Sequence, residues 1–301
     1  MVEGPEPHEN EDERSLAERV LRDASPVRRS FVERAAGETL LTPLARLLRT
    51  QGDVGGKGGG LRVSLLLSLI WLCSKDPYTT TRQPAYWATL LSRDDPRGDG
   101  ARAIRDCLKE LRDRGAITLT ARGNRIEIGL NEETSTRENP IPYLPPYERE
   151  PYISVPRAFW SSGTAGSLSG AGVAMYLVAL ALTRHDDPDF FLSGEFFEER
   201  FGISRSSRKR GLSELAKAGV LTVRVVETVD VESFRQLRRN VYTVTESFLQ
   251  PAPKEVPIMS KNEKLLMSKY DNLPEVSLET LLSMVAKGHP SPDADPRTTK
   301  R

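Results

Sequence analysis

The stretch "FGISRSSRKRGLSELAKAGVL", Phe201 to Leu221, decides how the rest of this chain is read. Arg200, Arg205, Arg208, Lys209 and Arg210 crowd its start, and Gly219 follows its last helical positions. Ser204 stands where an N-cap hydroxyl accepts from the first free N–H groups, and Gly219 where a left-handed residue closes a helix. Leu212 and Leu215 define an apolar face, so Arg205, Ser206, Lys209 and Ser213 fall on the outer one. A basic helix face alone is ordinary solvated surface. Its meaning depends on what surrounds it.

Charge is segregated along the 301 residues although the formal net charge is only +1. Residues 1–23 hold eight acids against three arginines, a net of −5, while residues 200–240 hold ten basic residues against four acids, a net of +6. Regional field therefore says more about partners than overall charge does. The two cysteines, Cys73 and Cys107, lie in apolar-periodic runs with no C-x-x-C, which predicts buried thiols in a reducing cytosol. No basic-then-apolar leader opens the chain, and the run "LLLSLIWLC" from Leu65 is too short to span a bilayer. A cytoplasmic protein without a membrane anchor is expected.

Outward from the opening stretch, two similar units emerge. Residues 1–26 read as an acidic disordered tail. The glycines of "QGDVGGKGGG" (51–60) miss both anchor positions of a phosphate loop and read as flexible linker. A buried helix is predicted over Leu61–Cys73, a second opened by Pro84, and a third over "ARAIRDCLKELRDRG" ending at Gly115. The runs around Arg122-Gly123-Asn124-Arg125 predict a tight hairpin. Residues 131–152, rich in proline, read as an interdomain linker. The order then repeats: a buried helix over Ala171–Thr183, a helix capped by Ser193, the opening helix, and "VLTVRVVETV" and "RRNVYTVT" as hairpin arms around a longer loop, Glu227 to Arg239. "LKELRDRG" from Leu108 and "LSELAKAG" from Leu212 share Leu, Glu, Leu and Gly at one spacing. Duplication of one architecture accounts for this. The expected domains are 27–130 (core from 61) and 153–250, followed by an appendage, 251–301, with two short helices and a disordered end.

Three helices followed by a hairpin, the third helix basic and glycine-ended, resemble a winged helix-turn-helix. The opening stretch is similar to the pattern "GISRSTVRRALKELEKAGLI" of bacterial, including actinobacterial, regulators. The resemblance makes Gly202-Ile203-Ser204 the turn, Arg205 to Ala218 the recognition helix, and Val220 onward the first wing strand. The tandem layout, with "YISVPRAFW" leading the second unit, also resembles the two-winged-helix plasmid replication initiators. The implied fold is mainly α with small β-hairpin wings (α+β), two winged helix-turn-helix domains in tandem. Two positions depart from the pattern. Nine residues, Ser92 to Gly100, separate the second and third helices of the first unit, which suggests splayed helices. Arg208 stands where the pattern places a buried aliphatic residue, as Ile104 does in the first unit.

The chemistry expected of such a protein is phosphate contact for affinity and base-edge contact for discrimination. Ser204, Arg205, Ser206, Arg208, Lys209, Arg210 and Ser213 are the expected DNA-binding residues of the second recognition helix. Arg235, Arg238 and Arg239 are those of its wing. Arg102, Arg105 and Lys109, with Arg122 and Arg125 in the hairpin, are the weaker equivalents in the first unit. His185 with Asp186, Asp187 and Asp189 lacks tetrahedral zinc spacing and reads as a solvated loop. No nucleophile elbow, phosphate loop or carboxylate pair is visible, so no enzyme, cofactor or metal is expected. The expected function is sequence-specific double-stranded DNA binding as a transcriptional regulator. A replication initiator or replicon-maintenance protein is the alternative, and a protein-binding adaptor the second. A homodimer, and a protein partner on the acidic tail or the C-terminal helices, complete the partner expectations.

Overall fold

The two long apolar runs of the sequence become the two central helices, and a computed structural model of the chain shows the remaining elements arranged around them. The structure describes residues 12–251 except 36, 39, 50–57, 147–149, 193–196 and 230–235, and the side chains of 228, 229, 236 and 237 are also outside it. All described residues belong to one compact unit, Met1–Ala252. Among them the architecture is mixed, with eleven α-helices and three small antiparallel sheets.

The chain enters through α1 (Glu13–Glu18) and β1 (Ala24–Arg28), then two short helices, α2 (Arg29–Val32) and α3 (Pro43–Leu48). The long helix α4 (Gly59–Leu72) follows, then β2 (Thr79–Thr80), α5 (Pro84–Leu90), α6 (Asp99–Asp113) and the hairpin β3 (Ile117–Arg122) and β4 (Arg125–Leu130). The order then recurs: β5 (Tyr152–Pro156), α7 (Ala158–Ser161), α8 (Thr164–Ser167), α9 (Gly170–Leu182), β6 (Asp189–Phe190), α10 (Phe197–Phe201), α11 (Arg205–Lys217), β7 (Leu221–Val229) and β8 (Gln236–Val244). Each copy closes a three-stranded sheet in the same way, β2-β4-β3 and β6-β8-β7. The duplication read from the sequence thus extends to strand order.

The two copies are joined by pairing between equivalent elements. β1 pairs with β5 antiparallel, with Pro26 opposite Ser154, Ala24 opposite Pro156 and Arg28 opposite Tyr152. Val27 precedes Phe31 by the same spacing as Val155 precedes Phe159, which makes Pro26 and Ser154 equivalent. An antiparallel pair centred on equivalent residues has a local two-fold axis. The long helices meet in the same sense: a Cβ on Gly60 would come within 2.9 Å of the Gly170 nitrogen, and one on Gly170 within 3.2 Å of the Gly60 nitrogen. Two helix N-termini approach this closely only where neither carries a side chain.

α4 and α9 are buried on nearly every face, which is why their sequences lack a polar stripe. Trp71 and Trp160 stack across the two copies with ring centroids 4.1 Å apart, and the Trp160 Nε1–H donates to the Ser68 hydroxyl at 2.9 Å. Buried apolar side chains of both copies form a single core. Cys107 lies within it, and burial pushes its thiol up to about 12.

Three segments differ from their reading in the sequence. Residues 12–26, read as part of a disordered acidic tail, hold α1 and the start of β1. Asp12 caps α1 by accepting from the Ser15 N–H at 2.8 Å, and Leu16 and Ala17 are buried. The acidic composition concealed a short apolar face. The segment 131–152, read as an interdomain linker, is packed through its first half: Asn131 bridges to Pro142, and Glu133, Ser135 and Tyr143 are buried. Its prolines suit an irregular path, yet Glu133 and Glu150 are held. The buried Arg28 guanidinium donates to Glu133 at 2.6 Å, Glu150 at 2.9 Å and the Leu144 carbonyl at 2.7 Å. Burial raises the Glu133 carboxyl above its ordinary range, and Arg28 pulls it back. The loop between α5 and α6 does not separate those helices, which remain packed together. The Asp95 carboxylate folds it by accepting from the Gly98 N–H at 3.1 Å and the Asp99 N–H at 3.2 Å. The glycine cluster up to residue 57, the Ser193 cap, the extreme N-terminus and the appendage from residue 252 lie outside the described residues.

Arg28→Ala is expected to lower stability by about 3–5 kcal/mol, because it leaves Glu133 buried without its counter-charge. Denaturant midpoints check this. The double variant Arg28→Ala/Glu133→Gln should lose less than the sum of its singles.

Candidate nucleic-acid interface

α11 is positioned by four features in and just before it. Gly202, with φ +68°, makes the turn from α10, and the Ser204 Oγ accepts from the Ser207 N–H at 3.3 Å to cap the helix. Gly211 sits against α9, where a Cβ would collide with the Ala171 carbonyl oxygen. Glu214 reaches the start of α9 and accepts from the Ser169 N–H at 3.1 Å and from its hydroxyl at 2.7 and 2.8 Å. The carboxylate thus meets the positive end of a 13-residue helix. The equivalent Glu110 of α6 pairs with Arg62 near the start of α4. The repeated Leu-x-Glu-Leu is therefore a docking device: leucines fill the core and the glutamate fixes each third helix to a central one.

Docking on that face sends the cations outward. Arg205, Ser206, Lys209, Arg210 and Ser213 are exposed, as is Ser204 at the cap. Arg210 lies 4.0 Å from Glu214, whereas Arg205 and Lys209 have no carboxylate partner among the described residues. The first turn of α11 holds no acid, so nothing there offsets the positive pole of the helix. Arg208 is neither buried nor turned outward with the others. Half-buried, it places its guanidinium 5.0 Å from the centre of the Phe197 ring. This resolves the departure from the aliphatic pattern: an aromatic ring on α10 replaces the apolar pocket.

Both hairpin arms form as read, and the loop between them is shorter than Glu227 to Arg239. Strand pairing continues to Val229 and Gln236, so Glu227, Arg238 and Arg239 lie in strands and not in a loop. Alternating valines on β7 extend the ladder past the first charged residue. Arg238 is exposed and donates to Glu227 at 3.0 Å, its cross-strand neighbour. Arg239 is exposed and stands over Phe191 at 4.3 Å. Arg235 lies outside the described residues. At the base of the sheet, the Thr243 hydroxyl and the Arg224 guanidinium hold the Asp189 carboxyl below its ordinary value. That aspartate is thus engaged in sheet closure.

Between α11 and β8 runs an open groove of about 410 Å³. Arg208 and Leu212 form its helix wall, Arg238, Arg239, Asn240 and Tyr242 its sheet wall, and Leu192 its end. Asn240 and Tyr242 escaped the sequence reading because their placement depends on hairpin register. Their alternation with Arg239 and Val241 was the available signal.

The first unit presents a different surface. Arg102 and Arg105 are exposed on α6, but Lys109 pairs with Asp106 at 3.1 Å and Arg122 with Glu127 at 3.0 Å. Arg125 is exposed at the turn of the tight hairpin, which has the expected register, Arg122 opposite Arg125. α6 also opens on Asp99, so its positive pole is partly offset. Of the predicted residues of the second unit, Ser204, Arg205, Ser206, Lys209, Arg210 and Ser213 are exposed on α11 and Arg238 and Arg239 on the hairpin, while those of the first unit are interleaved with acids. No helix among the described residues is long and apolar enough to cross a membrane. Comparison of the chain with family models, curated proteins and solved structures finds no match.

Gly211→Ala tests the docking of α11. Intrinsic propensity favours alanine by about 1 kcal/mol in a helix interior. Here the added Cβ meets a backbone carbonyl, so a net loss of about 1–3 kcal/mol is expected. Amide exchange along α11 should accelerate in the same variant. A gain in stability would contradict this packing.

Proposed function

We propose that the chain binds double-stranded DNA through two winged helix-turn-helix units in tandem, with the second as the principal reader. It acts as a sequence-specific transcriptional regulator and carries no catalytic activity. The observation that carries this reading is the outer edge of α11. Arg205 and Lys209 stand exposed without carboxylate partners, beside a helix start with no acid in its first turn. On the first unit Lys109, Arg112 and Arg122 are paired with neighbouring acids, and the helix that carries Arg102 and Arg105 opens on Asp99.

α11 would lie in the major groove, with Arg205, Ser206, Lys209 and Ser213 toward base edges and the helix start toward phosphate. Arg238 and Arg239 extend the same positive surface onto the hairpin, where phosphates of the flanking backbone would be held. The first unit contributes through Arg102 and Arg105, with less net charge. A replication initiator is the second reading. It is favoured by the locking of both units onto one core, which presents two third helices from a single chain.

The test is binding of the full chain to random-sequence duplex over a series of salt concentrations. Arg205→Ala/Lys209→Ala should weaken binding and make the slope of log K against log salt shallower, by about one unit for each phosphate no longer neutralised. Unchanged affinity in the variant, or none in the parent, rejects the reading. Selection from a random duplex pool then reports whether a sequence is preferred.

A further inference from the structure

Duplication supplies an internal control for locating a site. By hairpin register, Asn240 and Tyr242 of the second unit correspond to Ile126 and Ile128 of the first. Arg208 corresponds to Ile104 through the shared spacing of the third helices. Ile104 and Ile128 are buried, at 0% and 2% exposure. Where the first unit buries two aliphatic side chains, the second sets the Arg208 guanidinium and the Tyr242 phenol, and the Asn240 carboxamide takes the place of an exposed Ile126, around the groove between α11 and β8.

The groups in this groove differ in kind and complement one another. The guanidinium groups of Arg208 and Arg239 are held over the Phe197 and Phe191 rings, and neither has a carboxylate partner among the described residues. Rings that hold arginines in place reduce the side-chain freedom given up when an anion binds. Tyr242 stacks one way on Phe190, at 5.4 Å and 25°, and is itself half-buried where it lines the groove. The Asn240 amide makes one long contact, 3.5 Å to the Tyr242 hydroxyl. An amide offers two N–H donors and a carbonyl acceptor, so further donor and acceptor capacity remains. Leu192 and Leu212 supply apolar surface. A volume of about 410 Å³ suits a small organic ligand.

We propose that this groove is a nucleotide subsite, which takes one nucleoside phosphate. The base lies against Tyr242 and Leu212 with its edge on Asn240, and the phosphate takes the arginine end of the groove, at Arg208, Arg238 and Arg239. Arginine forks suit phosphate oxygens, while a flat heterocycle gains from an aromatic wall and an amide. An inorganic anion would leave the ring, the amide and both leucines unused. The nucleotide arrives either free or as an unpaired residue of a DNA strand, and the chemistry of recognition is common to both. The groove takes this ligand whether or not α11 reads duplex DNA.

Thymidine and deoxyadenosine 5′-monophosphates and inorganic phosphate are titrated into the full chain by calorimetry. Duplexes with and without one unpaired nucleotide are then compared in competition. At least one mononucleotide should saturate a single site, with inorganic phosphate at least roughly tenfold weaker. Asn240→Ala and Arg239→Ala change exposed side chains and should each weaken the mononucleotide by roughly tenfold, the scale of removing one base interaction, with the unfolding midpoint retained. Preference for the unpaired-nucleotide duplex, abolished by Asn240→Ala, supports the proposal with DNA as the source. Mononucleotide binding without that preference supports it with a free nucleotide as the source. Equal binding of phosphate and mononucleotides, or no nucleotide binding in any form, overturns it. Perfect-duplex binding in the same competition reports separately on the duplex reading, which fails alone if only the mononucleotide binds.

Discussion

The antiparallel pairing of β1 with β5 is the constraint on which the rest of the molecule depends. It is only a two-stranded ribbon, marginal by itself. It is stable here because α4 and α9 pack beneath it and because Arg28, at the end of β1, is held by carboxylates from the segment between the units. Its register sets equivalent residues opposite one another, and the contact of Gly60 with Gly170 repeats that relation in the helices. A single core follows, because two half-exposed units joined this way each bury a face that neither could bury alone.

Shared architecture makes the differences between copies informative. In both, a glutamate of the third helix docks on the start of a central helix, and a two-residue strand closes the sheet. The copies diverge on the packed face of the third helix and on the sheet that faces it. Cys107 in α6 is replaced by Gly211 in α11, which brings α11 close enough to α9 for a Cβ to clash. Ile104 is replaced by Arg208, and the sheet facing it becomes polar. The leucines of the core are retained through these changes. The changes alter what the second unit offers to a ligand.

Charge follows the same division. An exposed ion pair contributes about 0–1 kcal/mol to stability, so pairs such as Lys109–Asp106 and Arg122–Glu127 matter chiefly for the field that they cancel. The edge of α11 lacks such cancellation at Arg205 and Lys209. Long-range attraction of an anionic partner would be governed by these uncompensated groups and screened over roughly 8–10 Å at ordinary ionic strength. The formal net charge of +1 conceals this entirely.

Much of the fold was legible in the residues. Leucine-rich runs specified α4 and α9, Ser204 and Gly219 bounded α11, Gly123-Asn124 set the tight hairpin, and Leu-x-Glu-Leu announced the repeat. These are local signals, each acting through a backbone preference or an apolar period within a few residues. On the candidate site, the sequence identified the helix cations but not the groove. Phe197 beneath Arg208, Phe191 beneath Arg239, and Asn240 and Tyr242 facing α11 come from separated elements. The acidic start and the proline-rich middle also hid ordered structure, because Leu16 and Glu133 are buried only against distant partners. The sequence alone determined the long helices α4, α6, α9 and α11, where they stop, and that the plan occurs twice, since those properties are local. Only the tertiary structure decided strand register, the joining of both copies into one core, and which cations remain uncompensated, because each depends on what a side chain meets across the fold.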